Sequence, residues 1–323
     1  MQFPKIAPHR KRLATVSKAT TALLASAVLV GCGGGGSDSS LTASLTTAST
    51  GTTGVLCDYS SSSFNSSPSV NATATATWSC SGTRRSLIAN GLPDHEVGSF
   101  PNRNNPNPIA AQSISVSSPL SPALSSMVTA LGGPRGDTGF VLNGVKIDPG
   151  TAGSCNDSGA SCSLIGNSGQ WSIEALGQAS FNFGVDGNNA HVQPGGAYHY
   201  HGMPEGFINK LGKGQAMTLV GWAADGFPIY ARYGYSVATD ANSALKVIKG
   251  SYRLKATPPA TRPPTSLYAL GTFQQDYEYI AGSGDLDECN GRSGVTPEFP
   301  KGIYHYYATD NYPYLQRCVK GQL

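Results

Sequence analysis

The sequence predicts a mainly β fold: a single sandwich or barrel-like domain with few short helices, stabilised by disulfides. Three observations predict it. Forty Gly and 21 Pro stand against only 13% charged residues, which favours many turns over long helices. A hydrophobic fraction of 39% is enough to build a core. Several segments alternate apolar or aromatic residues with polar ones, the period of a strand.

The elements follow in order. Basic residues run to Lys18, and an apolar stretch from about Thr20 to Val30 ends in Leu29-Val30-Gly31-Cys32. That segment is an address rather than part of a fold. It resembles the bacterial lipoprotein lipobox, which implies a leader over 1–31 and acylation of Cys32. Gly33 follows the Cys instead of Asp, so the resemblance also implies outer-membrane sorting. Residues 32–54 then form a Gly/Ser/Thr-rich tether that cannot bury apolar area. The folded domain is expected over 55–323. Removing Lys5, Arg10, Lys11, Arg12 and Lys18 with the leader leaves 17 basic against 19 acidic residues, net −2. Such a balance argues against nucleic acid as a partner. The expected partner is a membrane, through the N-terminal lipid, with a small-molecule or polymer ligand left open.

Besides Cys32, six Cys remain: Cys57, Cys80, Cys155, Cys162, Cys289 and Cys318. An even number in an exported chain reads as disulfides, and short loops close most easily. The expected pairs are therefore 57–80, 155–162 and 289–318. Met217–Ala223 and Pro228–Tyr235 flank Asp225-Gly226 and read as a hairpin. Ser121–Leu131 and Ala238–Ile248 are expected as short helices. Thr257–Ser266, with four Pro, is a loop. No run of about 18 apolar residues occurs in the domain, so no membrane-spanning helix is expected there.

Five of the six His cluster in Gly/Pro/Tyr-rich segments: His95, His191, His199, His201 and His305. In Tyr198-His199-Tyr200-His201 the alternation puts both imidazoles on one strand face and both phenols on the other. Two imidazoles so placed can chelate one ion. The third ligand is expected from His191, eight residues before His199, or from His305 in Tyr304-His305-Tyr306-Tyr307, a near-copy of the first motif. Three His leave a coordination position open, as a catalytic metal requires. The expected cofactor is one transition metal, copper or zinc, because imidazole suits both and no thiolate is in the set. His95, in a Pro-Asp-His turn, is a further candidate.

These segments resemble the signature blocks of the YHYH domain family. They are Asn188–Pro194, Tyr198–Gly202, Ala224–Tyr230 and Leu286–Gly291, together with Asn90–His95, Leu142–Val145 and Tyr304–Tyr306. The blocks run in order from about residue 89 to 318. Tyr307 stands where a second YHYH-type His would be. The resemblance implies a secreted or surface-anchored domain and says little of activity. A second resemblance is to the cupin motifs, which would make His199, His201, Glu205 and His305 the ligands. Asp225, Glu205 and Glu288 are candidate acid/base groups beside the metal. Asp285, Asp287 and Glu288 are candidate calcium ligands. The function expected is thus a surface-anchored metal-binding domain, either a hydrolase or oxidoreductase or a non-catalytic metal-capture or ligand-binding module.

Overall fold

The structure, a computed structural model, describes residues 57–323. The expected leader, Cys32 and the 32–54 tether lie outside the described residues. β1 (Ser60–Asn65), β2 (Ala72–Ser81), β3 (Arg84–Ala89) and β4 (Ile114–Pro119) form an antiparallel sheet in chain order. β2 shows the period-two pattern: Ala74, Ala76 and Trp78 are buried between exposed Thr75 and Thr77. Beyond β5 (Leu124–Ala130), β6 (Gly139–Val141) and β7 (Lys146–Ile147) make a hairpin around Asn143-Gly144. Gly144 has φ +83°, and a Cβ there would stand 2.5 Å from the Ala89 methyl, so glycine lets the first sheet pack onto this turn. Trp78 Nε1 donates to the Leu142 carbonyl at 2.9 Å across the same contact.

β8 (Ser154–Cys155), β9 (Cys162–Ser163) and β10 (Trp171–Ser172) form a three-stranded sheet. Cys155, Trp171, Ile173, Phe183 and Phe273 build a satellite core on it. β11 (Ala190–Val192), β12 (Tyr198–Tyr200), α1 (Glu205–Leu211), β13 (Thr218–Ala223) and β14 (Pro228–Ala231) follow. β15 (Tyr233–Tyr235) pairs β16 (Leu245–Val247), and β17 (Tyr252–Leu254) pairs β18 (Tyr277–Tyr279). The last strands are β19 (Gly291–Gly294), β20 (Ile303–Ala308) and β21 (Cys318–Gly321). The main sheet has eight strands in the order β11-β12-β7-β6-β13-β14-β20-β19. Only β12/β7 and β14/β20 are parallel in it. Its buried side chains and those of β2 and β3 make one continuous core. The fold is therefore mainly β, as expected.

The three disulfides are Cys57–Cys80, Cys155–Cys162 and Cys289–Cys318, the local pairs expected. The hairpin around Asp225-Gly226 also forms, as β13 and β14. Both expected helices are corrected. Leu124, Met127, Val128 and Leu131 carry helical spacing, but the segment is β5, paired with β21, and Met127 is 74% exposed. Long-range pairing to a strand tied down by Cys289–Cys318 outweighs weak local propensity. Within Ala238–Ile248, Asp240 makes side-chain and backbone turn bonds to Asn242 and Ser243, and the remainder is β16. The α-helix among the described residues is α1. Pro204 precedes it, Glu205 opens its first turn, Lys210 stands in its last, and Gly212 closes it in the left-handed region. None of the described helices is long and apolar enough to cross a membrane.

Candidate metal centre

The centre is built on the β11–β12 hairpin. Pro194-Gly195-Gly196 turns the chain, with φ of +93° and +87° at the two glycines. The register that results sets His191 directly across from His199. His201, two residues on, shares the face of His199. Ring centroids lie 4.6 Å apart for His191–His199 and His191–His201, and 4.7 Å for His199–His201. One ligand nitrogen from each ring falls within 4.8 Å of the others, so this trio could hold a metal ion. His201 Nε2 is 3.0 Å from His191 Nε2.

The outer nitrogens orient the rings. His191 Nδ1 donates to the Phe183 carbonyl at 2.9 Å, and His199 Nδ1 to the Ala197 carbonyl at 3.2 Å. In both rings that choice leaves the Nε2 lone pair for an ion. His201 Nδ1 lies near the Pro149 backbone, outside hydrogen-bond geometry. His199 and His201 are 3% and 1% exposed. Burial pushes the pKa of all three below the ordinary His value, and the neighbouring imidazoles lower His199 and His201 further. Neutral imidazole is the form that ligates a metal.

The phenols of the same strand face the other way, as the alternation requires. Tyr198 donates to Asp186 at 2.8 Å. Tyr200 donates to His95 Nε2 at 2.6 Å and accepts from Asn143 at 3.2 Å. His95 Nδ1 meets the Glu96 carbonyl at 2.8 Å. Both nitrogens of His95 are thus engaged on the face opposite the trio, where it steadies Tyr200.

Residues 115–321 match the family described as YHYH protein, a span holding all three converging His. The chain belongs to the YHYH protein family. No curated protein and no solved structure matches it.

The trio of the YHYH motif and its hairpin partner opens onto a cavity of about 360 Å³. Phe183, Leu164 and Ile165 give it apolar walls, and Asn105, Thr151, Gln193 and Asp148 give it polar ones. Asp148 is a carboxylate the sequence reading missed. It follows β7, whose parallel pairing with β12 brings it level with His201, and its own N–H donates to the Tyr200 carbonyl. Its carboxylate accepts from the Gly133 N–H and lies 3.6 Å from Lys146 Nζ. Burial raises its pKa, against the pull of Gly133 and Lys146. No local motif announces Asp148, because strand order alone carries it to the cavity.

The other expected residues lie elsewhere. His305 is on β20, five strands along the sheet from β12, roughly 24 Å at the usual strand spacing. Its Nδ1 donates to the Ile303 carbonyl at 2.9 Å and its Nε2 accepts from Tyr307 at 3.2 Å. The third ring beside His199 and His201 is therefore His191. Glu205 opens α1 and pairs with Arg232, so the cupin-like set of His199, His201, Glu205 and His305 is not assembled. Asp225 accepts from Tyr306 at 2.6 Å and from the Gly321 and Phe227 N–H groups, and burial raises its pKa. Among the described residues none of Glu205, Asp225 and Glu288 lines the His cavity. Nor do the calcium candidates converge on one point. Asp285 is held by Lys246, Asp287 by Tyr304 and two backbone N–H groups, and Glu288 by Lys320.

His305 gives a pH prediction. Burial lowers its pKa to about 4. Between pH 6.5 and 4 the unfolded chain takes up a proton that the folded one refuses, so stability falls as pH falls. The loss by pH 4 is about 3 kcal/mol. His305→Gln is expected to reduce the pH dependence of urea unfolding across that window by this one group's share, the other buried His keeping theirs, and to leave metal content unchanged. An unaltered slope would refute the assignment.

Proposed function

We propose that this chain is a lipid-anchored cell-envelope protein that binds one transition metal ion, copper or zinc, through His191, His199 and His201. The convergence of three neutral imidazoles at the wall of a cavity carries the reading. A three-nitrogen set without thiolate suits either ion. It also leaves room for a water or substrate in a fourth position. A metal there would supply Lewis acidity for hydrolysis or a redox centre for oxygen chemistry. The chain's own residues contribute the rest. Phe183 and Ala197 carbonyls fix the rings of His191 and His199. Asp148, buried in the cavity wall with a raised pKa, is the group suited to move a proton. That carboxylate favours catalysis over simple metal capture.

The test is elemental mass spectrometry on the full chain purified without added metal or chelator. About one equivalent of copper or zinc is expected. His199→Ala combined with His201→Ala should lower metal affinity by more than the roughly 10–100-fold that loss of an outer-shell partner costs, with unchanged circular dichroism. Unchanged stoichiometry in that variant would sink the proposal. Anchoring is tested separately. Cys32→Ser should move the protein from the membrane fraction to the soluble one, and continued membrane partition would count against acylation.

A further inference from the structure

The eight-stranded sheet has the same plan read from either edge. β11-β12-β7-β6 on one side corresponds to β19-β20-β14-β13 on the other. Each half is a hairpin, β6–β7 or β13–β14, followed by a second, β11–β12 or β19–β20, whose closing strand lies parallel to the first hairpin. The registers agree residue for residue. Ile147 faces Gly139 and Tyr200, as Ile229 faces Gly221 and Tyr306. His191 faces His199 as Arg292 faces His305. At the centre, Phe140 pairs with its own counterpart Trp222, flanked by Gly139–Ala223 and Val141–Gly221. That reciprocity is what a local two-fold axis imposes.

The hydrogen bonds repeat as well. Tyr198 donates to Asp186 and Tyr304 to Asp287, each at 2.8 Å. Asn143 and Asp225 hold the same turn position, and each bonds the phenol of the following motif, Tyr200 or Tyr306. The His199 and His305 Nδ1 atoms each meet the carbonyl two residues before them. Asn189 and Asn290 both take positive φ, +56° and +61°, and accept from the N–H of His201 and Tyr307.

This correspondence maps the three ligands His191, His199 and His201 onto Arg292, His305 and Tyr307. The second trio also touches itself: Arg292 donates to the Tyr307 hydroxyl at 3.2 Å, and that hydroxyl meets His305 Nε2 at 3.2 Å. A guanidinium, a permanent cation, stands where the first half gathers another imidazole. We infer that residues 139–201 and 221–307 are two copies of one unit, and that Arg292, His305 and Tyr307 are a second metal site closed by two substitutions. Its readout rests on the metal reading above, whereas the duplication itself does not.

The experiment restores the missing imidazoles. Arg292→His with Tyr307→His is made in the full chain and titrated with Co(II), followed by visible absorption, and with Zn(II), followed by elemental analysis. Two equivalents are expected against one in the parent. In the background of His199→Ala with His201→Ala, one equivalent should return. A folded variant that binds no more metal than its parent overturns the inference while leaving the first site intact. Metal in the variant but none in the parent would support the second site and refute the first. The reverse exchange, His191→Arg with His201→Tyr, guards against misfolding: it should stay folded and bind no metal. If neither exchange folds, the two halves are not equivalent and the inference falls.

Discussion

Asp276→Ala is expected to destabilise the domain by about 3–5 kcal/mol, the usual loss when one partner of a buried ion pair is removed. Asp276 and Arg262 have side-chain exposures of 0% and 1%. The contact is two-pronged, Arg262 Nε to Oδ1 and Nη2 to Oδ2. The remaining guanidinium protons go to the Pro263, Tyr268 and Ala269 carbonyls at 2.7–2.8 Å. Asp276 also accepts from the Gly271 and Phe273 N–H groups at 2.9 and 3.1 Å. One carboxylate thus organises the proline-rich loop and closes the satellite core under Phe273. Truncating it leaves a cation dry and two backbone donors unmet. Arg262→Met with Asp276→Leu should lose less than Asp276→Ala, because no charge is left dry, but it still leaves the Gly271 and Phe273 N–H groups and three loop carbonyls without their partners. The effect should reach the metal centre. Phe183 belongs to this satellite core, and its carbonyl orients His191. Metal affinity is therefore expected to fall although no ligand is touched. Urea unfolding and a metal titration check both parts, and a single-variant loss below about 1 kcal/mol would refute the first.

Much of the centre was legible in the sequence, for local reasons. A Tyr/His alternation can only split its side chains between two strand faces, and the structure puts His199 and His201 on one and the phenols on the other. The short-loop disulfides and the Asp225-Gly226 hairpin are equally local. What depends on strand order was not legible. The choice between His191 and His305 turns on which strand lies beside β12. A signal for His191 did exist: Pro194-Gly195-Gly196 between Ala190–Val192 and Tyr198–Tyr200 is a tight turn that sets His191 opposite His199. α1 also carried its own start and stop, Pro204-Glu205 and Lys210…Gly212. By contrast, β5 meets its partner only at the far end of the chain, and Asp148 reaches the cavity only through a parallel pairing. Neither has a local signature. The near-copy at Tyr304–Tyr307 was visible as a motif, but its meaning as half of a two-fold sheet appears only when registers are compared.

Trp222→Ala tests how strongly the two halves of that sheet depend on one another. Trp222 sits on β13 across from Phe140, at the seam, and is 3% exposed. Its ring carries the Arg85 guanidinium 3.3 Å above it and meets Phe299 edge-on at 6.4 Å. Truncation opens a cavity at the point where both halves and the first sheet meet, and it removes the aromatic face under a buried cation. The expected loss is about 3–5 kcal/mol. Trp222→Phe keeps an aromatic face and should recover most of it. β12, which carries His199, is three strands away, roughly 14 Å along the sheet, and His191 on β11 lies one strand further. No hydrogen bond from Trp222 reaches the rings of the trio, so the folded variant should hold the same metal equivalent with the same affinity. Trp222→Ala and Asp276→Ala then make a contrast: both lose several kcal/mol of stability, and only the second weakens metal binding. If Trp222→Ala also released the metal below its unfolding transition, the centre would depend on the whole sheet, and the local account built on the hairpin and the Phe183 carbonyl would be wrong.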